Sequence, residues 1–254
     1  MKIVLLAGNG ESTKFMYNAL KDDFSIEKVI IEKKASSINM IKRRIKKLGF
    51  LHVVNQIFFQ LIVQKLLKIT STSRIKYLKS KFKLSNEIIP SEILLNVPSV
   101  NHEECIEALK EINPDVIIVN GTRIISSKVL KSVDAIFVNT HIGITPQYRG
   151  VHGAYWALIN NDAKNCGVTI HLVDPGIDTG SILKQEIIHP SSKDNFITYT
   201  YHQYGAAILM MKSVLQDVIN GNLKAYDKEK VKSKLYYHPT MTFYLYNLIM
   251  NKIK

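Results

Sequence analysis

The residues best equipped for chemistry stand in two short segments. In Val138-Asn139-Thr140-His141-Ile142-Gly143-Ile144-Thr145-Pro146-Gln147-Tyr148-Arg149-Gly150, an apolar run ends in an Asn and a His two residues apart. Positions i and i+2 of a strand share a face, so Asn139 and His141 emerge together at the strand's carboxyl end, the rim where open α/β sheets bind ligands. The second segment runs from Gly167-Val168-Thr169-Ile170-His171-Leu172-Val173 into Asp174-Pro175-Gly176-Ile177-Asp178-Thr179-Gly180. That glycine-bracketed acidic loop brings Asp178 within reach of the same rim. An amide, an imidazole and a carboxylate without a Ser or Cys nucleophile suit direct acyl transfer to an amine. Asn139 would donate to an oxyanion, and His141 would move the amine's proton or stabilise that oxyanion. Asp178 would orient His141 and favour its charged form.

The elements that must position these groups follow from apolar runs. Residues 3–6 lead into the turn Gly8-Asn9-Gly10-Glu11-Ser12 and a helical pattern to about residue 20. Further strand-like runs cover 26–31, 115–119, 135–138, 168–173 and 182–188, and a long helix is expected over 196–219. Strands alternating with helices predict an α/β fold, a Rossmann-like, mostly parallel sheet with helices on both faces and right-handed crossovers. Residues 1–220 read as the catalytic domain and 221–254 as a short C-terminal extension.

Charge marks a separate feature. The net charge is +13, but residues 33–83 hold 14 of the 34 Lys/Arg and no acid, leaving 20 basic against 21 acidic residues elsewhere. A near-neutral domain therefore carries a basic helical insertion over about 36–83, and a surface wrapped all round by nucleic acid is excluded. Phe50, Leu51, Val54, Ile57, Phe58, Leu61 and Ile62 recur at helical spacing, predicting two or three amphipathic helices. The favoured expectation is that this apolar stripe packs on the core or in a homodimer. Contact with nucleic acid or an anionic membrane surface is the alternative.

With 12 Gly and 7 Pro, 46% hydrophobic and 22% charged residues, disordered and collagen-like classes are excluded. Cys105 and Cys166 are too few and too far apart for a disulfide framework or a cysteine-rich zinc site, and His52, His102, His189, His202 and His238 lack metal-ligand spacing. No metal is expected. No 18-residue stretch is free of polar groups, so neither a membrane span nor export is expected, and a cytoplasmic location is.

Asn-x-His followed by Pro-x-x-Arg-Gly, then Val-Thr-x-His and a downstream Asp-Thr-Gly, closely resembles the N-terminal catalytic domain of formyltransferases that use 10-formyltetrahydrofolate. The resemblance covers about 1–219 apart from the insertion. It implies Asn139, His141 and Asp178 as the catalytic set and 10-formyltetrahydrofolate as formyl donor. It also implies a pterin pocket lined by the 121–125 loop, with Arg123, Ile124 and Ile125, and by the 174–178 loop, with Asp174 and Ile177. Asn9 and Gly10, at a helix N-terminus, would hold an acceptor phosphate through backbone N–H groups, and His152 would line the acceptor cleft. Tyr148 and Trp156 read as packing residues and His171 as a satisfied buried histidine.

Two departures bear on the acceptor. Family members commonly have Pro-Ser-Leu-Leu-Pro where this chain has Ile142-Gly143-Ile144-Thr145-Pro146. Methionyl-tRNA members carry a C-terminal β-barrel domain, for which the residues after 219 are too few. The acceptor implied is the primary amine of a nucleotide-linked amino sugar, as in the sugar N-formyltransferases. A methionyl-tRNA formyltransferase and a non-catalytic folate- or nucleotide-binding module are the alternatives.

Overall fold

A computed structural model describes residues 1–34, 37–227 and 231–254; Ser36, where the insertion was expected to begin, lies outside the described residues. From the N-terminus the chain runs β1 (Ile3–Gly8), α1 (Glu11–Leu20), β2 (Ile26–Glu32), α2 (Ser37–Leu48), α3 (Phe50–Phe58), a π-helical turn (Phe59–Val63), α4 (Gln64–Thr70) and α5 (Thr72–Lys81). It continues through β3 (Leu94–Val97), α6 (Glu103–Ile112), β4 (Val116–Asn120), α7 (Ser127–Leu130), β5 (Ile136–His141), β6 (Tyr148–Gly150) and α8 (Gly153–Ile159). The remaining elements are β7 (Gly167–Leu172), β8 (Ile182–Ile187), α9 (Tyr199–Ile219), β9 (Lys234–Tyr236) and α10 (Met241–Met250).

Seven strands form one sheet in the order β3-β2-β1-β4-β5-β7-β8. The first five are parallel, while β7 runs antiparallel to both β5 and β8. No helix separates β7 from β8, so the chain returns as a hairpin-like pair where parallel pairing would need a crossover. Side-chain alternation divides the core. Ile3, Leu5 and Ala7 of β1 face a cluster with Phe15 and Met16 of α1, Ile75 and Leu78 of α5, and Met211 and Val214 of α9. Val4 and Leu6 face Cys105, Ile106 and Leu109 of α6 and Val129 of α7. The fold is therefore Rossmann-like, with helices on both faces of a mostly parallel sheet.

A third cluster joins the insertion to the end of the chain: Phe59 and Val63 meet Tyr148, Tyr155, Phe196, Tyr199, Tyr236 and Tyr244. The described residues of 221–254 are thus built into the fold. Tyr226 bridges Ile182, β9 pairs with β6, and Asn55 of α3 is hydrogen-bonded to Thr242 of α10. Tyr148 and Trp156 stack on Tyr236, with ring centroids 5.3 and 5.0 Å apart, in the packing role expected.

The part of the expectation that packs this stripe on the core of the same chain needs correction. Val53, Gln56, Phe59 and Val63 point inward, whereas Phe50, Leu51, Phe58, Leu61 and Ile62 are exposed. Apolar residues lie nearly all round this helix, so spacing alone could not choose a face. The π turn also adds a residue to one turn and rotates α4 relative to α3.

Candidate active site

Parallel strands β1, β4 and β5 end at one edge of the sheet, and the loops that follow β4, β5 and β7 enclose a cavity of about 430 Å³ there. Arg123, Ile124, Ile125, Asn139, His141, His171, Asp174, Ile177 and Asp178 all contribute to its lining. The two segments read as chemical thus meet at one place, together with the loops expected to hold a pterin.

Asn139 and His141 leave β5 on the same side. Asp178 comes from the loop after β7, in a left-handed conformation with φ 52°. Its carboxylate lies between two imidazoles: His141 Nδ1 is 3.2 Å from Oδ2 and His171 Nε2 is 3.7 Å from Oδ1. The Gly150 N–H donates to Oδ2 at 3.1 Å. The other His141 nitrogen, Nε2, is 2.8 Å from the Tyr148 carbonyl oxygen. Both His141 nitrogens therefore face groups that can only accept, which requires hydrogen on each. Burial works against the charged ring, but the hydrogen bond and charge of Asp178 outweigh it and raise the His141 pKa. Burial also opposes the Asp178 charge, yet the hydrogen bond and charge of His141, with the Gly150 N–H, hold its carboxyl well below the usual carboxylate range. The pair is an imidazolium and a carboxylate.

His171, read from the sequence as a satisfied buried histidine, is buried with partners at both ring nitrogens. Its Nδ1 lies 2.7 Å from the Leu172 carbonyl oxygen, so Nδ1 donates. Nε2 then accepts from the Asn139 amide at 3.0 Å, fixing which way that amide points and leaving a second N–H on Asn139. The alternation of Thr169 and His171 on one face of β7 was the available signal. Thr169 braces the loop after β5, donating to the Gly143 carbonyl at 2.8 Å and accepting from the Thr145 N–H at 3.1 Å. Gly143 is required at its position. A Cβ there would come within 2.5 Å of the Tyr148 oxygen and 2.7 Å of His141 Nε2.

Arg123 lines the cavity without offering it a free charge. Its Nε sits 2.6 Å from Glu32 Oε2 and its guanidinium donates to the Lys33 carbonyl. Glu32 also accepts the backbone N–H groups of Arg123 and Val100, at 2.7 and 3.2 Å. This buried carboxylate at the end of β2 shapes the 121–125 loop, and an acid closing an apolar strand was the sequence signal for it. Asp174 is occupied within its own loop, accepting from Gly176 N–H and the Thr179 hydroxyl.

The acceptor candidates lie elsewhere. Asn9 and Gly10 are exposed in the turn before α1, outside the cavity lining. Their turn does abut the cavity loop, since a Cβ on Gly8 would lie 2.5 Å from the Gly121 oxygen. His152 is also outside the lining; it packs on Phe196 with centroids 4.4 Å apart and bonds His238 at 2.9 Å. Burial first, then the neighbouring His238, drives its pKa well below the ordinary value. Burial and Arg44 push His238 down to about 4. These two rings pack on one another, and His152 also on Phe196, outside this cavity. Among the described residues no group of His, Cys, Asp or Glu is arranged to hold a metal.

Comparison with known proteins agrees with this geometry. The chain is 34% identical over 145 residues to a methionyl-tRNA formyltransferase of Kosmotoga olearia, covering 57% of this chain and 46% of that protein. It is 30% identical over 131 residues to a GDP-perosamine N-formyltransferase of Brucella melitensis, covering 51% and 50%. The chain thus spans about half the length of the curated relatives it matches. Among solved structures it resembles the N-formyltransferase from Helicobacter canadensis in complex with folinic acid and dTDP-3-aminofucose. That similarity has a TM-score of 0.52 at 20% identity, over 93% of this chain and 71% of that one. Residues 1–207 match the model of the formyl transferase family, and the chain belongs to that family.

Proposed function

We propose that the protein transfers a formyl group from 10-formyltetrahydrofolate to a primary amine, with the amine of a nucleotide-linked amino sugar as acceptor. The observation that carries this reading is the convergence of Asn139, His141 and Asp178 on one cavity whose other walls are largely apolar side chains and loop backbone, with Arg123 and Asp174 engaged by neighbouring protein groups. A concave site with few convergent polar groups suits a flat heterocycle. Ile124, Ile125, Val173 and Ile177 supply its apolar walls, and the backbone of the 121–125 loop supplies hydrogen bonds.

Of the two roles open to His141, the geometry favours oxyanion stabilisation over proton abstraction, because an imidazolium donating from both nitrogens has no lone pair for a proton. Asn139 keeps an amide hydrogen for the oxygen of the transferred formyl group, and the His141 charge beside it stabilises the negative charge that develops there. Asp178 maintains that charge, and no covalent intermediate on the protein is needed. A binding-only module would have no use for such a pair.

The nucleotide-sugar reading is supported by the GDP-perosamine relative and by the sugar nucleotide bound to the Helicobacter structure. Methionyl-tRNA is a second reading, favoured by the 34% identical relative and by the basic insertion. The buried free thiols Cys105 and Cys166, both raised to about 12 chiefly by burial, suit a cytoplasmic setting. Incubation with 10-formyltetrahydrofolate and a panel of nucleotide-linked amino sugars, beside charged methionyl-tRNA, separates these readings by product mass. Formylation of the tRNA alone overturns the sugar assignment, and formylation of neither with folate bound favours the binding module.

A further inference from the structure

The helix formed by α3, the π turn and α4 is apolar on both sides, with Val53, Phe59 and Val63 pointing inward and a second apolar row outward. Its inward side carries Gln56, Gln60 and Gln64, and the amide nitrogens of Gln60 and Gln64 are buried without a hydrogen-bond partner. Its outward side carries Leu51, Phe58, Leu61, Ile62, Leu66 and Ile69, with Leu51 81% and Ile69 71% exposed. Next to it α10 exposes Tyr246, Ile249 and Met250. Single exposed apolar residues need no explanation, but a stripe along 21 residues does.

Charge identifies the occupant. Lys42, Arg43 and Lys46 of α2 immediately precede the stripe, and Lys65 and Lys68 stand within its outer face. None of the five pairs with an acid among the described residues, and residues 33–83 contain no acid at all. A second copy docking on the same face about a two-fold axis would set this cluster against itself. The phosphates of an RNA would take the lysines but gain nothing from leucine and isoleucine. An anionic bilayer surface matches both halves of the pattern, accepting aliphatic side chains below its headgroups and basic ones among them.

Residues 50–70 are long and apolar enough to span a membrane by length and composition. Phe59, wholly buried against Phe196 and Tyr244, instead keeps the helix on the protein. We infer that the outer face of α3–α4, flanked by the basic residues of α2, seats the folded protein on the surface of an anionic membrane.

Flotation with vesicles of phosphatidylglycerol and phosphatidylcholine tests this, with pure phosphatidylcholine vesicles, lipid-free sedimentation and total tRNA as further arms. The wild-type protein is expected to float with the anionic vesicles and not with the neutral ones. A Leu51→Gln/Leu61→Gln/Ile62→Gln/Leu66→Gln variant, altered only at exposed positions, should melt like wild type and lose about a hundredfold in partitioning. Replacing Lys42, Arg43, Lys46 and Lys65 by Gln should cost about fivefold per charge and remove most of the salt dependence. Wild-type protein left in the bottom fraction with anionic vesicles overturns the inference, as does an apolar variant that floats normally. Two further results also overturn it in the absence of flotation: a lipid-free dimer that the apolar variant dissolves, and tRNA binding that only the basic variant loses.

Discussion

At the cavity rim and in the long insertion helix, polar groups are buried to opposite effect. Around β5 and β7 the three candidate groups and their supports are met, Asn139 by His171, His141 by Asp178 and the Tyr148 carbonyl, Thr169 by Gly143 and Thr145, while the Thr140 and Thr145 hydroxyls beside them are not. In the helix, the amides of Gln60 and Gln64 are buried unmet while leucines face outward. Burying an unpaired amide is unfavourable, so the helix is not arranged for the stability of this chain alone. The rim is organised for what enters the cavity, and the helix for what lies outside the protein.

The sharpest way to break this comparison is at adjacent residues of the helix. Phe59 is fully buried between Phe196 and Tyr244, whereas Phe58 is 47% exposed. Phe59→Ala should destabilise the protein by about 3–5 kcal/mol, and Phe58→Ser should stay within about 0.5 kcal/mol. Urea titrations of the two variants check this, and equal losses would return the helix to the packing stripe read from its sequence.

At the rim the comparable test is kinetic. Asn139→Ala and His141→Ala should each lower turnover by about two to three orders of magnitude and leave folate affinity nearly unchanged, because both act on charge that develops only in the transition state. Steady-state kinetics beside equilibrium folate titration decides it. Equal losses in binding and turnover would make the pair part of the binding wall.

The two regions also differ in how far they could be read from sequence. Asn139, His141 and Asp178 were legible because a strand's two-residue period and a glycine-bracketed loop constrain where side chains go. So were the parallel-sheet runs apart from β3, a four-residue strand with too short an apolar pattern. The role of His171 was not legible, since its partners are set by ring orientation and by strand pairing across 32 residues. The partners of His152 were not legible either, because His238 and Phe196 arrive from distant segments. The insertion failed for a different reason: with apolar residues on nearly every side of 50–69, periodicity carries little information about the inner face. The buried glutamines were visible in the sequence only as ordinary polar positions.

A smaller effect sharpens the electrostatic half of the comparison. His141 has its pKa raised, so its stabilising contribution is complete below its ordinary value of 6.5 and is lost as pH rises through the raised one. Asp178 has its pKa lowered, so its contribution is present above 3.8 and is lost as pH falls through the lowered one. The pair should therefore contribute fully between those two values. Activity that depends on charged His141 should fall on the alkaline side, not through acid uptake by a pair that already holds its proton. Asp178→Asn removes the charge that sustains the imidazolium, and should move the alkaline limb down by about one to three pH units while lowering the rate at neutral pH. An unmoved limb would mean that His141 is not the group whose charge the reaction uses.

The smallest expected effect concerns the inward glutamines. If Gln60 and Gln64 hold their amides in a dry interior, each unmet N–H imposes a desolvation cost that leucine, of similar length, does not. Gln60→Leu and Gln64→Leu should then each stabilise the protein by about 1 kcal/mol, read as a higher urea midpoint at unchanged slope. Neither residue belongs to the outward stripe, so vesicle partitioning should not change. Water reaching those amides would remove the gain, and with it the contrast between Asn139 and His141, whose polar atoms are met by protein, and the amide nitrogens of Gln60 and Gln64, which are not.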